Sequence, residues 1–151
     1  MALPFIEVLT LLCTGVFVGG MVLVMFAVVP SWYDMSPEQW IGNQQVLGPH
    51  IDWYMPVFDG LATLGAILLI VFHWPTRLPV ITAATGVFGL AAVAIISQLV
   101  NVPINRCVRS WSCSAPPPIG LMLRKRWVVW HAVRTSAGLL AFIALLLSTL
   151  L

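Results

Sequence analysis

The chain has 151 residues, of which 60% are hydrophobic and only 8% are charged. Soluble domains carry about 25% charged residues, so this composition excludes a soluble globular protein. The formal net charge of +2 does not indicate nucleic-acid binding, because the basic residues stand at the edges of apolar segments. The sequence therefore predicts an integral membrane protein.

Four apolar segments are each long enough to cross a bilayer, which takes about 20 helical residues. They lie at residues 4–30, 53–73, 78–100 and 127–150 and take up most of the chain. We therefore expect an all-α fold with a single transmembrane domain over residues 1–151. The predicted architecture is a four-helix membrane bundle with a short interfacial helix in the first loop.

The first segment carries two features that bear on packing. Gly15 and Gly19 stand four residues apart, a spacing that lets helices approach closely and that also suits association of two copies of the chain. Glu7 lies near the beginning of this segment and is predicted to meet His73 or Arg77 at one end of the bundle.

The first loop contains a helix start. Ser36 fits an N-cap, Pro37 the first helical position and Gln39 the third position, which together predict a capping box. Gly48 and Pro49 are expected to end this short helix, which we predict to lie on the membrane surface.

Two charged residues stand at matching depths in the second and fourth segments. Asp59 is six residues past Trp53, and Arg134 is seven residues past Trp127. At a rise of 1.5 Å per residue, both lie roughly 10 Å into their helices. An unpaired charge at that depth is costly, so we predict an ion pair between Asp59 and Arg134.

The third segment ends in a stripe of carboxamides. Gln98, Asn101 and Asn105 fall on one side of a helix, and Pro103 frees a backbone carbonyl one turn before it. Carboxamides donate and accept hydrogen bonds, which suits the oxygen of a carbonyl, phenol or peroxide. Each of them could equally serve as a hydrogen bond between helices.

The last segment opens with ionisable and aromatic residues. At 100° per residue they fall within an arc of roughly 140°, and they are Arg126, Trp127, Trp130, His131 and Arg134. Ionisable groups are rare in membrane helices and mark functional sites. The alternatives are interfacial anchoring for the tryptophans and a structural hydrogen bond for His131.

These residue types suit a flat, weakly acidic organic molecule that becomes an anion. Indoles stack on rings, arginines stabilise a developing enolate, and His131 is the natural general base. The predicted catalytic residues are His131, Arg134, Asp59, Asn101 and Asn105. The predicted substrate-binding residues are Trp127, Trp130, Arg106, Gln98, Arg126 and His50. A copper or iron site would have to be assembled from His50, His131 and a carboxylate.

The loops give a predicted orientation. The first and third loops lie on the same side, and the third loop region carries five basic residues, namely Arg106, Arg109, Arg124, Lys125 and Arg126. The second loop has only Arg77, so the positive-inside rule places loops one and three in the cytoplasm, and we expect the plasma membrane. Cys107 and Cys113 are then free thiols; a disulfide between them would need an oxidising compartment instead.

Two motifs carry a family resemblance. Asn101-x-Pro103-x-Asn105-Arg106, followed by Arg126-Trp127-x-x-Trp130-His131-x-x-Arg134-Thr135, resembles the signature of the anthrone-oxygenase-like membrane proteins, long known as a small domain of unknown function. The resemblance implies a four-helix membrane bundle and the oxidation of a polyketide anthrone to an anthraquinone by dioxygen, without an organic cofactor. It places Asn101, Asn105, Arg106, Trp127, His131 and Arg134 at motif positions.

The favoured hypothesis is thus a membrane-embedded oxygenase acting on an anthrone- or phenol-type aromatic molecule, with dioxygen as co-substrate. In it His131, or Asp59 through water, removes a proton, and Arg134 and Arg106 stabilise the anion. Two alternatives remain open: a non-catalytic subunit that binds quinones or lipids, and an oxygenase that depends on copper or iron. A transporter fits poorly, because the polar residues gather near one membrane face.

Overall fold

A computed structural model describes residues 2–151, and this part of the chain contains helices and turns but no strand. Met1, the first residue of the predicted domain, lies outside the described residues. The elements are α1 (Ala2–Leu23), a first π segment (Val24–Val28), α2 (Val29–Tyr33), α3 (Pro37–Asp52), α4 (Tyr54–Phe72), α5 (Arg77–Ile96), a second π segment (Ser97–Asn101), α6 (Val102–Arg109) and α7 (Gly120–Leu150).

These elements join end to end into four helices that are long and apolar enough to cross a membrane. We refer to Ala2–Tyr33, Pro37–Phe72, Arg77–Arg109 and Gly120–Leu150 as spans 1 to 4. The predicted all-α, four-helix membrane bundle is confirmed. Each span is longer than the predicted apolar segment, mainly at the ends that border the first and third loops, while span 2 ends at Phe72, one residue before the predicted end at residue 73.

The helix predicted in the first loop begins as expected but does not end as expected. The Ser36 hydroxyl accepts the Gln39 amide at 3.3 Å, and the Gln39 side chain accepts the Ser36 amide at 2.9 Å. The predicted stop at Gly48 and Pro49 is wrong, because α3 continues through Pro49 to Asp52 and breaks only at Trp53. A proline removes one backbone donor, and the packing of α3 against α6 outweighs that loss.

The bundle closes as a ring in which α1 and α5 each pack against both α4 and α7. Its core is apolar and consists of Cys13, Phe17, Val18, Met21, Ala62, Ala66, Leu69, Ala83, Leu90, Val93, Ala141 and Leu145. At one end the Glu7 carboxylate lies 3.4 Å from Nε2 of His73, the first of its two predicted partners.

The helices approach closely at glycines other than the predicted pair, Gly15 and Gly19. Gly19 is exposed with nothing near its Cα hydrogens, and a Cβ on Gly15 would meet only the Phe142 ring at 3.7 Å. A Cβ on Gly89 of α5, by contrast, would lie 2.7 Å from the Ala141 Cβ and 3.1 Å from the Ala137 carbonyl oxygen of α7. The α5–α7 contact therefore requires glycine at position 89.

Gly89→Ala is accordingly expected to destabilise the bundle by about 1–3 kcal/mol, the typical effect of overpacking. The matched control is Gly19→Ala, which adds the same methyl group where nothing lies within 4 Å and gains about 0.5–1 kcal/mol of helix propensity. Unfolding midpoints in detergent micelles compare the two variants. Equal midpoints would contradict the close contact.

Candidate functional site

A cavity of about 530 Å³ lies between span 2, the second π segment, α6 and α7, and we call it the main cavity. Its volume is within the range of roughly 300–1,000 Å³ found for small-molecule sites. Nine polar side chains line it: Asp52, Asp59, Ser97, Gln98, Asn101, Asn105, Arg106, Arg109 and Arg134. Apolar residues that include Phe17, Met55, Pro56 and Val102 complete its wall.

The two π segments lie beside this region, and the sequence after each is the same. Val29-Pro30 follows the first segment, and Val102-Pro103 follows the second. The proline lacks an N–H, and the amide just before it, that of Val29 or Val102, bonds the carbonyl five residues back. π segments are rare and occur frequently at functional sites. The second segment supplies three of the cavity-lining residues, Ser97, Gln98 and Asn101.

Arg134 is held by two neighbours, and neither is a carboxylate. Its Nε donates to Nδ1 of His131 at 3.0 Å, and its Nη1 donates to the Ser97 hydroxyl at 2.7 Å. Ser97 in turn donates to the Val93 carbonyl at 2.7 Å. For Nη2 of Arg134 there is no hydrogen bond to any of residues 2–151, and the Arg134 side chain lines the main cavity.

The predicted ion pair between Asp59 and Arg134 is wrong. Within residues 2–151 the ion pairs closer than 4.0 Å are Glu7–His73 and Asp52–Arg109. Asp59 and Arg134 line the same cavity, yet Oδ1 of Asp59 is buried without a hydrogen-bond partner among the described residues. Matching depth along two helices did not make them partners, because Ser97 and His131 already hold the guanidinium.

His131 is buried, with 1% of its surface exposed, and both ring nitrogens are engaged. Nδ1 accepts from Arg134, and Nε2 lies 3.1 Å from the Met21 carbonyl oxygen. A guanidinium can only donate, so Nδ1 is the acceptor and Nε2 carries the hydrogen that bonds Met21. His131 lines a small cavity of about 40 Å³ beside the main one, and Arg134 lines both.

Trp127 joins the two asparagines to the histidine. Its indole Nε1 donates to Oδ1 of Asn105 at 2.7 Å, and its ring stacks on His131 with centroids 4.6 Å apart. The Asn101 amide donates to the Trp127 carbonyl at 3.1 Å, which leaves the buried Oδ1 of Asn101 without a partner among residues 2–151. Both asparagines thus bond across helices, and both also line the main cavity.

A second charged group closes the other end of the main cavity. Nη2 of Arg109 lies 2.7 Å from Oδ2 of Asp52, and the Asn105 amide donates to Oδ1 of Asp52 at 3.4 Å. Arg106 lines the cavity close by and forms no ion pair within residues 2–151. Ser97 was not among the predicted site residues, and Arg109 entered only the predicted membrane orientation. Their helical spacing from Asn101 and Asn105, four residues in each case, is the signal that identifies them.

Three predicted binding residues lie outside both cavities. His50 and Arg126 are exposed, and Trp130 is 37% exposed. Fewer residues of α7 face the cavities than predicted: of the five predicted residues, Trp127, His131 and Arg134 line them. His50 lies outside both cavities and His131 lines the small one, so the two histidines are not brought together as in the alternative copper or iron site. Within residues 2–151 no three His, Cys, Asp or Glu side chains gather as metal ligands.

The two predicted alternatives for the cysteines of the third loop were a pair of free thiols and a disulfide, and the structure has free thiols. Cys107 and Cys113 are both free thiols, and Sγ of Cys113 lies 3.4 Å from Oε1 of Gln45. Neither cysteine lines a cavity described above.

Comparison with known families identifies the chain. Neither the curated proteins nor the solved structures gave a match. A family model described as anthrone oxygenase matches residues 52–144, which is more than half of the chain. The matched region includes Asp59, the second π segment, His131 and Arg134. The protein therefore belongs to the anthrone oxygenase family.

Proposed function

We propose that this membrane protein is an oxygenase that oxidises an anthrone-type or related phenolic substrate with dioxygen in its main cavity. Family membership supports an oxygenase-like role in general. The observation that carries the proposal is that a carboxylate, which can act as a base, and a guanidinium, which can stabilise an anion, line one cavity. Asp59, whose Oδ1 has no hydrogen-bond partner among the described residues, and Arg134, whose Nη2 has none, line the same 530 Å³ space.

The shape and chemistry of the main cavity suit a flat aromatic molecule with a carbonyl or hydroxyl group. Phe17, Met55, Pro56 and Val102 offer an apolar wall for fused rings. Asn101 lines the cavity, and its Oδ1 is buried without a partner among the described residues, so a phenolic hydroxyl would be bonded there after a small movement of this side chain. Gln98 and Arg106 also line this cavity and would contact oxygen substituents of the same molecule.

The first chemical step is loss of a proton from the methylene carbon between the two rings. Asp59 accepts this proton, and the electron pair of the C–H bond delocalises through the aromatic rings onto the oxygen of the opposite carbonyl group. The resulting enolate is stabilised by Arg134, because a preorganised cation stabilises negative charge where it develops in the transition state. Asp59 is chosen as base over His131, since both nitrogens of the histidine already hold hydrogen bonds.

The second step forms the carbon–oxygen bond. The enolate gives one electron to dioxygen, and the resulting carbon radical and superoxide combine into a peroxide anion, which takes the proton held by Asp59. The Asp59 carboxylate then removes the remaining hydrogen of that carbon as a proton. The O–O bond breaks, the carbon becomes a carbonyl, and hydroxide leaves and takes up that proton as water. One oxygen atom thus enters the quinone and the other leaves as water, with the substrate as the only reductant.

The proposal is tested by turnover of a hydroxyanthrone under ¹⁸O₂ by protein purified in detergent. We expect quinone formation well above the spontaneous oxidation seen with detergent alone, with one labelled oxygen in the new carbonyl. Activity that disappears with a chelator and returns with copper or iron would replace this mechanism with a metal oxygenase. Binding of the anthrone without any rate above the detergent control would replace it with a quinone- or lipid-binding subunit.

A further inference from the structure

We infer that His131 is a positioning residue, which holds the Arg134 guanidinium in place through one fixed neutral tautomer and exchanges no proton with the substrate. This inference rests on the proposed function, in which Arg134 stabilises the substrate anion. It goes further by assigning His131, the most obvious base in the sequence, to a different task.

The surroundings of the imidazole leave it no free nitrogen. Nδ1 accepts from Nε of Arg134 at 3.0 Å, and Nε2 donates to the Met21 carbonyl at 3.1 Å. The Trp127 ring covers one face of the imidazole at an interplanar angle of 19°. The side chain is almost fully buried and lines only the small cavity. A base must reach the proton it removes directly or through one water, and this ring cannot do so while these bonds persist.

The same bonds orient Arg134. Its guanidinium is held by His131 on its own helix and by Ser97 on span 3, and the histidine is anchored to Met21 on span 1. Two acceptors in different directions fix the plane of this rigid fork. Nη2 makes no hydrogen bond within residues 2–151, and we take it to be the nitrogen that meets the substrate anion in the main cavity.

Holding Arg134 also keeps it away from Asp59. Both groups line the main cavity, and opposite charges attract more strongly near the interior of a protein than in bulk water. Without the acceptor on His131, Nε of Arg134 loses a partner, and the guanidinium is expected to turn toward the unpartnered Asp59 carboxylate. That ion pair would occupy the base and the anion-stabilising cation together, so loss of His131 would impair both.

Two substitutions separate positioning from base catalysis. In His131→Gln the amide oxygen can accept from Arg134 and the amide nitrogen can donate to Met21, yet an amide cannot take up a proton. His131→Leu offers neither bond. We expect kcat in the glutamine variant to stay within about tenfold of wild type and kcat in the leucine variant to fall by roughly 10²–10³-fold, as for loss of an oriented oxyanion donor.

Equal and severe loss of kcat in both variants, with both proteins folded, would overturn the inference in favour of a base. Matched controls are His50→Gln and His50→Leu, which change an exposed histidine outside both cavities and should behave as wild type. If the glutamine variant does not fold, His131→Leu in an Arg134→Lys background decides the question. A positioning residue adds little to the loss already caused by Arg134→Lys, whereas an independent base multiplies it.

A binding measurement distinguishes failure of this inference from failure of the proposed function. The affinity of each protein for an anionic hydroxyanthraquinone is followed by quenching of tryptophan fluorescence, without turnover. We expect weaker binding in His131→Leu and recovery in His131→Gln. If wild type oxidises no anthrone but this pattern holds, the proposed reaction fails and the positioning role stands. Identical affinity in wild type, Gln and Leu variants would overturn the positioning role whatever the activity.

Discussion

Replacing Asp59 with asparagine is expected to lower kcat for anthrone oxidation by roughly 10²–10⁴-fold, the usual contribution of a general base. Asparagine keeps the size of the side chain but cannot accept a proton. KM should change little, because the cavity keeps its shape. The fold should be retained, since the change removes a carboxylate whose Oδ1 is buried without a partner within residues 2–151, and a charge in a membrane span is costly.

Asp34→Asn is the matched control for this variant. It makes the same chemical change at an exposed residue that lines neither cavity, so its kcat should equal that of wild type. The loss in Asp59→Asn should also shrink with hydroxyanthrones that ionise more readily, because they depend less on a base. A kcat near wild type in Asp59→Asn would show that another group removes the proton.

Arg134→Gln is expected to lower kcat by roughly 10²–10³-fold, because it removes the cation that stabilises the enolate. Arg134→Lys should be almost as harmful although it keeps the charge. A lysine carries its three N–H donors on one nitrogen at the end of a flexible stem, so it does not reproduce the rigid fork that bonds His131 through Nε and Ser97 through Nη1. Steady-state oxygen consumption with a hydroxyanthrone measures both effects.

The control lies two turns away on the same helix. Arg126→Gln and Arg126→Lys alter an exposed arginine of α7 outside both cavities, and both should retain wild-type kcat. Arg134→Gln should also unfold more easily, since it disturbs bonds to the buried His131, and an unsatisfied buried polar group costs about 1–3 kcal/mol. Full activity in Arg134→Lys would mean that charge alone matters and that the fork geometry does not.

The fold followed from the sequence because the bilayer demands it. Backbone groups in lipid must be satisfied within helices, so four long apolar segments were enough to predict four spans. The ends of the spans were not predictable from hydropathy. Residues 37–52 are only weakly apolar, and they continue helically through Pro49 because α3 packs against α6 and because Asp52 pairs with Arg109. Such contacts lie far apart in sequence.

The residues that line the site could largely be predicted from the sequence, but their hydrogen-bond partners could not. Helical spacing correctly grouped Gln98, Asn101 and Asn105 on the cavity side, and the rarity of charges in membrane helices singled out Asp59 and Arg134. Counting residues gives the depth of a side chain but not which neighbour it meets. That depends on helix rotation and close packing, which place Ser97 beside Arg134 and turn Trp130 outward.

The two π segments have a consequence for how spans 1 and 3 can vary. An extra residue in a regular helix rotates everything beyond it by about 100°, whereas a π turn absorbs that residue locally. In each span, one half packs in the apolar core and the other half borders the cavities. The π turn between them lets each half take its own rotation about the helix axis. Within such a scaffold, the cavity side can acquire new side chains while the membrane-spanning frame stays unchanged.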